Sequence, residues 1–125
     1  MDFVGTTLIK NCFVGETLDT LFFNNTKSKR NDFSQSMFPL LTVRRSEFIY
    51  DNFCQCKIEE GEIEFSTFDN CNFENVEYTQ SYFKSCTFKN MDFRNCNFID
   101  VEFIQCTFEE CLYTDVQAIL FGIAK

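Results

Sequence analysis

From Phe68 to Tyr113 an aromatic ring stands at every fifth position: Phe68, Phe73, Tyr78, Phe83, Phe88, Phe93, Phe98, Phe103, Phe108 and Tyr113. Neither regular element has this period, since side chains return to one face about every 3.6 residues in a helix and about every 2 in a strand. A chain with an inward ring at each fifth residue must turn a corner once per repeat. Two residues before each ring the side chain is small or slim: Ser66, Cys71, Val76, Ser81, Cys86, Met91, Cys96, Val101, Cys106 and Cys111.

The frame runs backwards without an insertion through Ile63, Ile58, Phe53, Phe48, Val43, Phe38 and Phe33. It misses at Ser28 and resumes at Phe23, Leu18, Phe13, Leu8 and Phe3. All but three of the 18 Phe fall in it, the exceptions being Phe22, Phe65 and Phe121, so the period is a structural requirement. Within one repeat the ring and the residue two before it share a side of a short extended segment, because strand side chains alternate. Both point in, the residue between them points out, and the remaining two make the corner. Stacked turns bury a continuous core that no single repeat could bury. Each buried Phe contributes about 1.5–3 kcal/mol, and offset ring pairs add about 0.5–1.5 kcal/mol.

The number of sides is left open by the repeats themselves. Ser66-Thr67-Phe68, Cys86-Thr87-Phe88 and Cys106-Thr107-Phe108 recur every twenty residues, which favours four sides. Cys71-Asn72-Phe73 through Phe83 resembles Cys96-Asn97-Phe98 through Phe108 at a spacing of twenty-five, as a duplication of five repeats would leave it.

The pattern resembles the pentapeptide repeat family: a small residue, Asn or Asp, Leu or Phe, then two variable residues. Cys71-Asn72-Phe73-Glu74-Asn75, Met91-Asp92-Phe93-Arg94-Asn95 and Cys96-Asn97-Phe98-Ile99-Asp100 carry the resemblance. It implies an all-β, right-handed quadrilateral β-helix with twenty residues per coil, and a bacterial source. The regular repeats span 46–113. Residues 1–25 are weaker, with Asn11 and Glu16 in inward slots. The expected core ladder is Phe48, Phe53, Ile58, Ile63 and the ten rings from Phe68 to Tyr113. The expected small slot is Cys56, Ser66, Cys71, Val76, Ser81, Cys86, Cys96, Val101, Cys106 and Cys111.

Residues 24–45 depart most from the pattern. Lys27, Lys29 and Arg30 flank the missed Ser28, and Pro39 restricts the backbone after Phe38. This predicts a degenerate repeat bulging as a basic corner loop, which a partner could contact. After Tyr113 the frame stops. Thr114 followed by Gln117 reads as a capping box, and Val116, Ile119, Leu120 and Ile123 follow at i, i+3, i+4, i+7 as one apolar helical face. A helix over 114–125 is therefore expected to cap the rod. In the family's topoisomerase-binding members such a helix also joins two copies, so the resemblance implies a homodimer.

Catalysis finds little support. The chain has no His, which removes His-based nucleophile activation, acid–base catalysis and metal ligation. Cys54-Gln55-Cys56 has metal-pair spacing, yet the frame points Cys54 out and Cys56 in. No Gly-rich phosphate loop occurs, so no cofactor, metal or enzymatic activity is expected. Six of the eight Cys (Cys56, Cys71, Cys86, Cys96, Cys106 and Cys111) occupy the slot as small buried hydrophobes, which fits a reducing cytoplasm. No apolar run reaches the roughly 18 residues of a bilayer span, and no signal segment opens the sequence.

Charge is more informative. Ser46 to Asp115 holds fifteen acids against four bases, a net charge of −11, while residues 1–45 carry +2. The acidic candidates for a partner surface are Glu59, Glu60, Glu62, Glu64, Asp69, Glu74, Glu77, Asp100, Glu102, Glu109 and Glu110. With four sides that stretch is roughly 17 Å tall, and duplex DNA shows roughly ten charges over such a length. Two functions follow as expectations. One is a non-catalytic protein-interaction rod with an acidic surface. The other, implied by the resemblance, is a DNA mimic that binds DNA gyrase or another topoisomerase as the quinolone-resistance members do. Direct nucleic-acid binding is disfavoured, because phosphate contacts need Lys and Arg.

Overall fold

The computed structural model describes residues 1–124. Lys125, the last residue of the segment expected to be helical, lies outside them. The chain winds into a parallel β-solenoid whose three-residue strands occur at most two or three to a coil. The first coil holds β1 (Asp2–Val4) and β2 (Thr7–Ile9), and the second β3 (Phe22–Asn24), β4 (Lys27–Lys29) and β5 (Met37–Pro39). Next come β6 (Thr42–Arg44), β7 (Glu47–Ile49) and β8 (Lys57–Glu59), then β9 (Glu62–Glu64), β10 (Thr67–Asp69) and β11 (Glu77–Thr79). The series closes with β12 (Tyr82–Lys84), β13 (Thr87–Lys89) and β14 (Asn97–Ile99), followed by β15 (Glu102–Ile104) and β16 (Thr107–Glu109).

Stacking decides the number of sides. Phe48 pairs with Phe68, Phe68 with Phe88 and Phe88 with Phe108, each twenty residues on. The spacing of twenty-five is thus a repeat of sequence and not of the coil. Strands β1, β3, β6, β9, β12 and β15 make one face. The second face is β2, β4, β7, β10, β13 and β16, and the third is β5, β8, β11 and β14. A fourth side holds single parallel bridges, such as Asp32 to Asn52 and Asn52 to Asn72.

The rings fill the interior as columns. On the second face Phe48, Phe68, Phe88 and Phe108 stack with centroids 4.9, 5.5 and 5.1 Å apart. Neighbouring columns meet edge-on, as Phe83 does with Phe88 at 5.4 Å. Phe53, Phe73, Tyr78, Phe83 and Phe93 are buried, while Phe98, Phe103, Phe108 and Tyr113 are half-buried near the C-terminal end.

Residues 24–45 do not bulge. They carry the end of β3 and all of β4, β5 and β6 in register, so the loop expected at Lys27, Lys29 and Arg30 is a strand and its corner. Ser28 points inward and is buried. Its hydroxyl accepts from Asn31 Nδ2 at 2.8 Å, and Phe48 from the next coil leans over it to meet Phe23 at 5.2 Å. A polar residue in the ring position is tolerated because a slot residue satisfies it and a neighbouring ring covers it. Pro39 ends β5, where an extended φ suits it.

Corners repeat as strictly as rings. The second residue after the ring takes a positive φ at nearly every corner, for example Thr20 (53°), Asn25 (51°), Phe65 (51°) and Asn90 (53°). Its N–H reaches the next coil, as Thr20 N–H donates to Pro39 O at 3.1 Å. Left-handed backbone suits Asn and strains a β-branched residue. Thr20→Asn should therefore raise stability by about 1 kcal/mol, read as a higher urea midpoint at unchanged slope. No gain would mean that the corner relaxes around threonine.

The helix α1 spans Asp115–Leu120. Thr114 Oγ1 accepts from Gln117 N–H at 3.1 Å and Gln117 Oε1 accepts from Thr114 N–H at 3.0 Å, closing the capping box. Gly122, at φ +80°, stops the helix earlier than expected. Ile123 N–H and Gly122 N–H return to the carbonyls of Ala118 and Ile119, a Schellman ending. Ile123 thus lies beyond the helix and not one turn further along it.

Candidate interaction surface

The slot before each ring has a chemistry that size alone does not explain. Six thiols each donate to the carbonyl 23 residues earlier: Cys56 to Phe33 O at 2.9 Å, Cys96 to Phe73 O at 3.0 Å, and Cys71 to Phe48 O at 3.3 Å. Cys86, Cys106 and Cys111 reach Ile63, Phe83 and Phe88 at 3.3–3.4 Å. Thr26, Asn31 and Ser36 donate in the same way to Phe3, Leu8 and Phe13. Slot side chains also accept from the coil before, as Gly61 N–H donates to Ser81 Oγ at 2.9 Å and Ser46 N–H to Ser66 Oγ at 3.2 Å. Buried backbone groups need partners, and Ser, Cys, Thr and Asn supply them in a narrow space. Val76 and Val101 fill the slot with bulk alone. Burial pushes the Cys56 and Cys96 thiols up to about 12, so both stay protonated.

Asp51 is the slot residue that the charge pattern misreads. Counted among the acids of the rod, it points inward and is buried. Its Oδ1 accepts from Asn31 N–H at 2.7 Å and from Asn31 Nδ2 at 3.2 Å, while Oδ2 has no partner. Loss of hydration raises its pKa to about 6 against those hydrogen bonds. The frame, which places residue 51 two before Phe53, was the signal for it.

The remaining acids stand outside. Seven candidates share two adjacent faces and the corner between them: Glu59 and Glu77 on the third face, Glu60 and Asp100 at the corner, and Glu62, Glu64 and Glu102 on the first. Asp69, Glu109 and Glu110 lie on the second face and its far corner, and Glu74 on the fourth side. Some of this charge is paired, since Arg44 Nε meets Glu64 at 2.9 Å and Lys89 meets Glu109 at 3.9 Å. Arg44, Lys57 and Lys84 lie on the same two faces as the seven acids. Lys27 and Lys29 lie on the second face and Arg30 at its corner, where its guanidinium covers the Tyr50 ring at 4.9 Å.

The apolar helical face read from sequence is split. Phe121, one residue past α1, enters the rod and stacks on Phe108 at 4.4 Å, continuing the second-face column. Ala118 and Gln117 are buried with it, and Gln117 Nε2 donates to Phe93 O at 2.6 Å. Leu120 is half-buried against the core. Val116, Ile119 and Ile123 face outward, at 77, 56 and 47% exposure. Capping and outward presentation thus fall to different residues. Phe121, outside the ring frame, was legible only as an apolar residue in the helix.

The rod interior holds a void of about 10 Å³, too small for a substrate, between Phe38, Leu41, Phe53 and Ile58. Among the described residues no group of His, Cys, Asp and Glu converges on a metal site, and Cys54 lies at a corner, parted from buried Cys56 by the left-handed turn at Gln55. No helix among them is long and apolar enough to cross a membrane.

Residues 22–113 match the family model of the SV2A/B/C luminal domain. In structure the chain is similar to the pentapeptide repeat protein Rfr23 of the cyanobacterium Cyanothece 51142. The TM-score is 0.65 at 10% identity, over 90% of this chain and 91% of that one. The chain is a pentapeptide-repeat protein of the SV2A/B/C luminal domain family. This pentapeptide-repeat rod also aligns with full-length QnrB1, a plasmid-mediated fluoroquinolone resistance protein, at a TM-score of 0.41 and 12% identity over 98% of both chains. No curated protein matches the rod in sequence.

Proposed function

We propose that the chain is a non-catalytic interaction rod that binds a cationic protein through the strip formed by Glu59, Glu60, Glu62, Glu64, Glu77, Asp100 and Glu102. The observation that carries this reading is the placement of seven carboxylates on two adjoining faces of a rod whose interior is closed by rings. A rigid wall with side chains held at the strand spacing presents charge at low ordering cost, and complementary charge raises association rates and selects partners. Such binding weakens with salt. The triple variant Glu60→Lys/Asp100→Lys/Glu102→Lys should reduce partner capture by at least tenfold while keeping the fold, since all three residues are exposed. Capture that survives the reversal would reject the strip. The charge of residues 46–115, close to that of duplex DNA per unit length, favours gyrase as a second reading. A salt-sensitive effect on gyrase supercoiling at micromolar protein would support that reading, and no effect would leave the first.

Two copies are proposed to join through Val116, Ile119 and Ile123, whose exposure is motivation for the contact. Ile119→Asp should halve the mass seen by light scattering without changing the β signal, because capping rests on Phe121. An unchanged mass would exclude this interface. A reducing compartment suits the chain, since all eight cysteines are free and six donate from their thiols. The luminal setting in the family's name belongs to the proteins it describes.

A further inference from the structure

We propose that Cys86 and Cys106 form a thiol pair that a small-molecule disulfide, of the oxidised glutathione class, converts into an internal disulfide. Among the eight cysteines these two alone occupy the same slot in adjacent coils; the column of Cys71 and Cys111 is interrupted by Met91, and that of Cys56 and Cys96 by Val76. Thr87 pairs with Thr107 and Phe88 with Phe108 just beyond them, and Thr107 N–H donates to Cys86 O at 2.9 Å. The two backbones are therefore one strand spacing apart, about 4.8 Å, within the Cα separation of about 4.4–6.8 Å that a disulfide spans. Both thiols point the same way, each toward the carbonyl 23 residues before it.

Access differs between the two, and this orders the chemistry. Cys86 is buried, while Cys106 is half-buried in the penultimate row below the helix. The neighbouring Cys86 thiol pushes Cys106 down to about 7, and Cys86 is itself pushed up. Cys106 thiolate attacks one sulfur of oxidised glutathione, forming a mixed disulfide and releasing one glutathione thiolate. Cys86 then loses its proton to solvent and attacks Cys106 sulfur, releasing the second glutathione. The protein gives up two electrons and two protons, and one glutathione disulfide becomes two thiols. Thiolate character and access are the usual controls on such exchange.

The test uses the full chain with Cys12→Ser and Cys54→Ser, which removes the two outward thiols. After incubation with oxidised glutathione, intact mass should fall by two hydrogens, and a peptide map should join the segments holding Cys86 and Cys106. Adding Cys86→Ser should instead leave one glutathione adduct on Cys106. Serine fits this slot, since Ser66 fills it one coil earlier. The bonded form should melt several degrees higher than the reduced form, as closing one coil restricts the unfolded chain. An unchanged mass with the pair still open to alkylation in urea, or a bond joining another pair, would overturn the proposal. Failure of Cys86→Ser to keep its circular dichroism would shift the decision to the peptide map of the parent.

Discussion

Phe121→Ala should lower stability by about 3–5 kcal/mol, the range for removing a well-packed buried ring. The side chain is nearly fully buried and touches more rings than its place outside the frame suggests. It stacks on Phe108 at 4.4 Å and meets Phe103, Phe93, Phe98 and Tyr113 edge-on at 4.6, 5.1, 5.9 and 5.9 Å. Each of these rings is left open to water when it goes. Because coils interact mainly with neighbours, the loss should be felt first at the C-terminal end. Hydrogen exchange should accelerate in β14, β15 and β16 well before β6 and β7. Phe65→Ala is the control: that ring lies at an exposed corner under the Arg45 guanidinium at 5.9 Å, and its removal should change little. Equal losses in the two variants, or uniform acceleration along the rod, would show that Phe121 is not the plug.

The plug also marks how far the sequence could be read. The inward rings were legible because burial of an aromatic ring at one strict period leaves no other fold open. The repeats alone left the coil size open, because an internal duplication of five repeats copies the pattern at twenty-five; the family resemblance implied four sides, and strand pairing at twenty agrees. Residues 24–45 looked broken because Ser28 replaces a ring, and only the structure shows Asn31 Nδ2 and Phe48 compensating for it. The end of α1 was written in Gly122, whose left-handed backbone permits the Schellman ending, but apolar spacing alone carried the reading on to Ile123. The candidate surface was legible as a set of outward acids. Which of them adjoin depends on which columns are neighbours, and that follows from the coil size.

Asp51→Asn should stabilise the protein at pH 7, on the order of 3 kcal/mol at most. The carboxyl titrates near 6 in the folded chain against a reference value of 3.8, because burial removes its water and leaves Oδ2 without a partner. A folded pKa above the unfolded one means that the native state binds the extra proton between those values. Ionised Asp51 therefore costs stability above pH 6, and acidification from 7 towards 4 recovers it. Asparagine keeps an oxygen for Asn31 N–H. By the coil repeat, its amide should donate to Ser28 O, as Asn31 Nδ2 donates to Leu8 O at 3.0 Å. Urea midpoints at pH 7, 6, 5 and 4 check this: the variant should lead at pH 7 and lose most of its lead by pH 4. Taking the difference between the two proteins cancels the opposite trend of exposed acids such as Asp92, which Arg94 holds below the usual carboxylate range. A lead that stays constant across that window would mean that the carboxyl is not held in its ionised state against burial, and that shape or hydrogen bonding alone sets the effect.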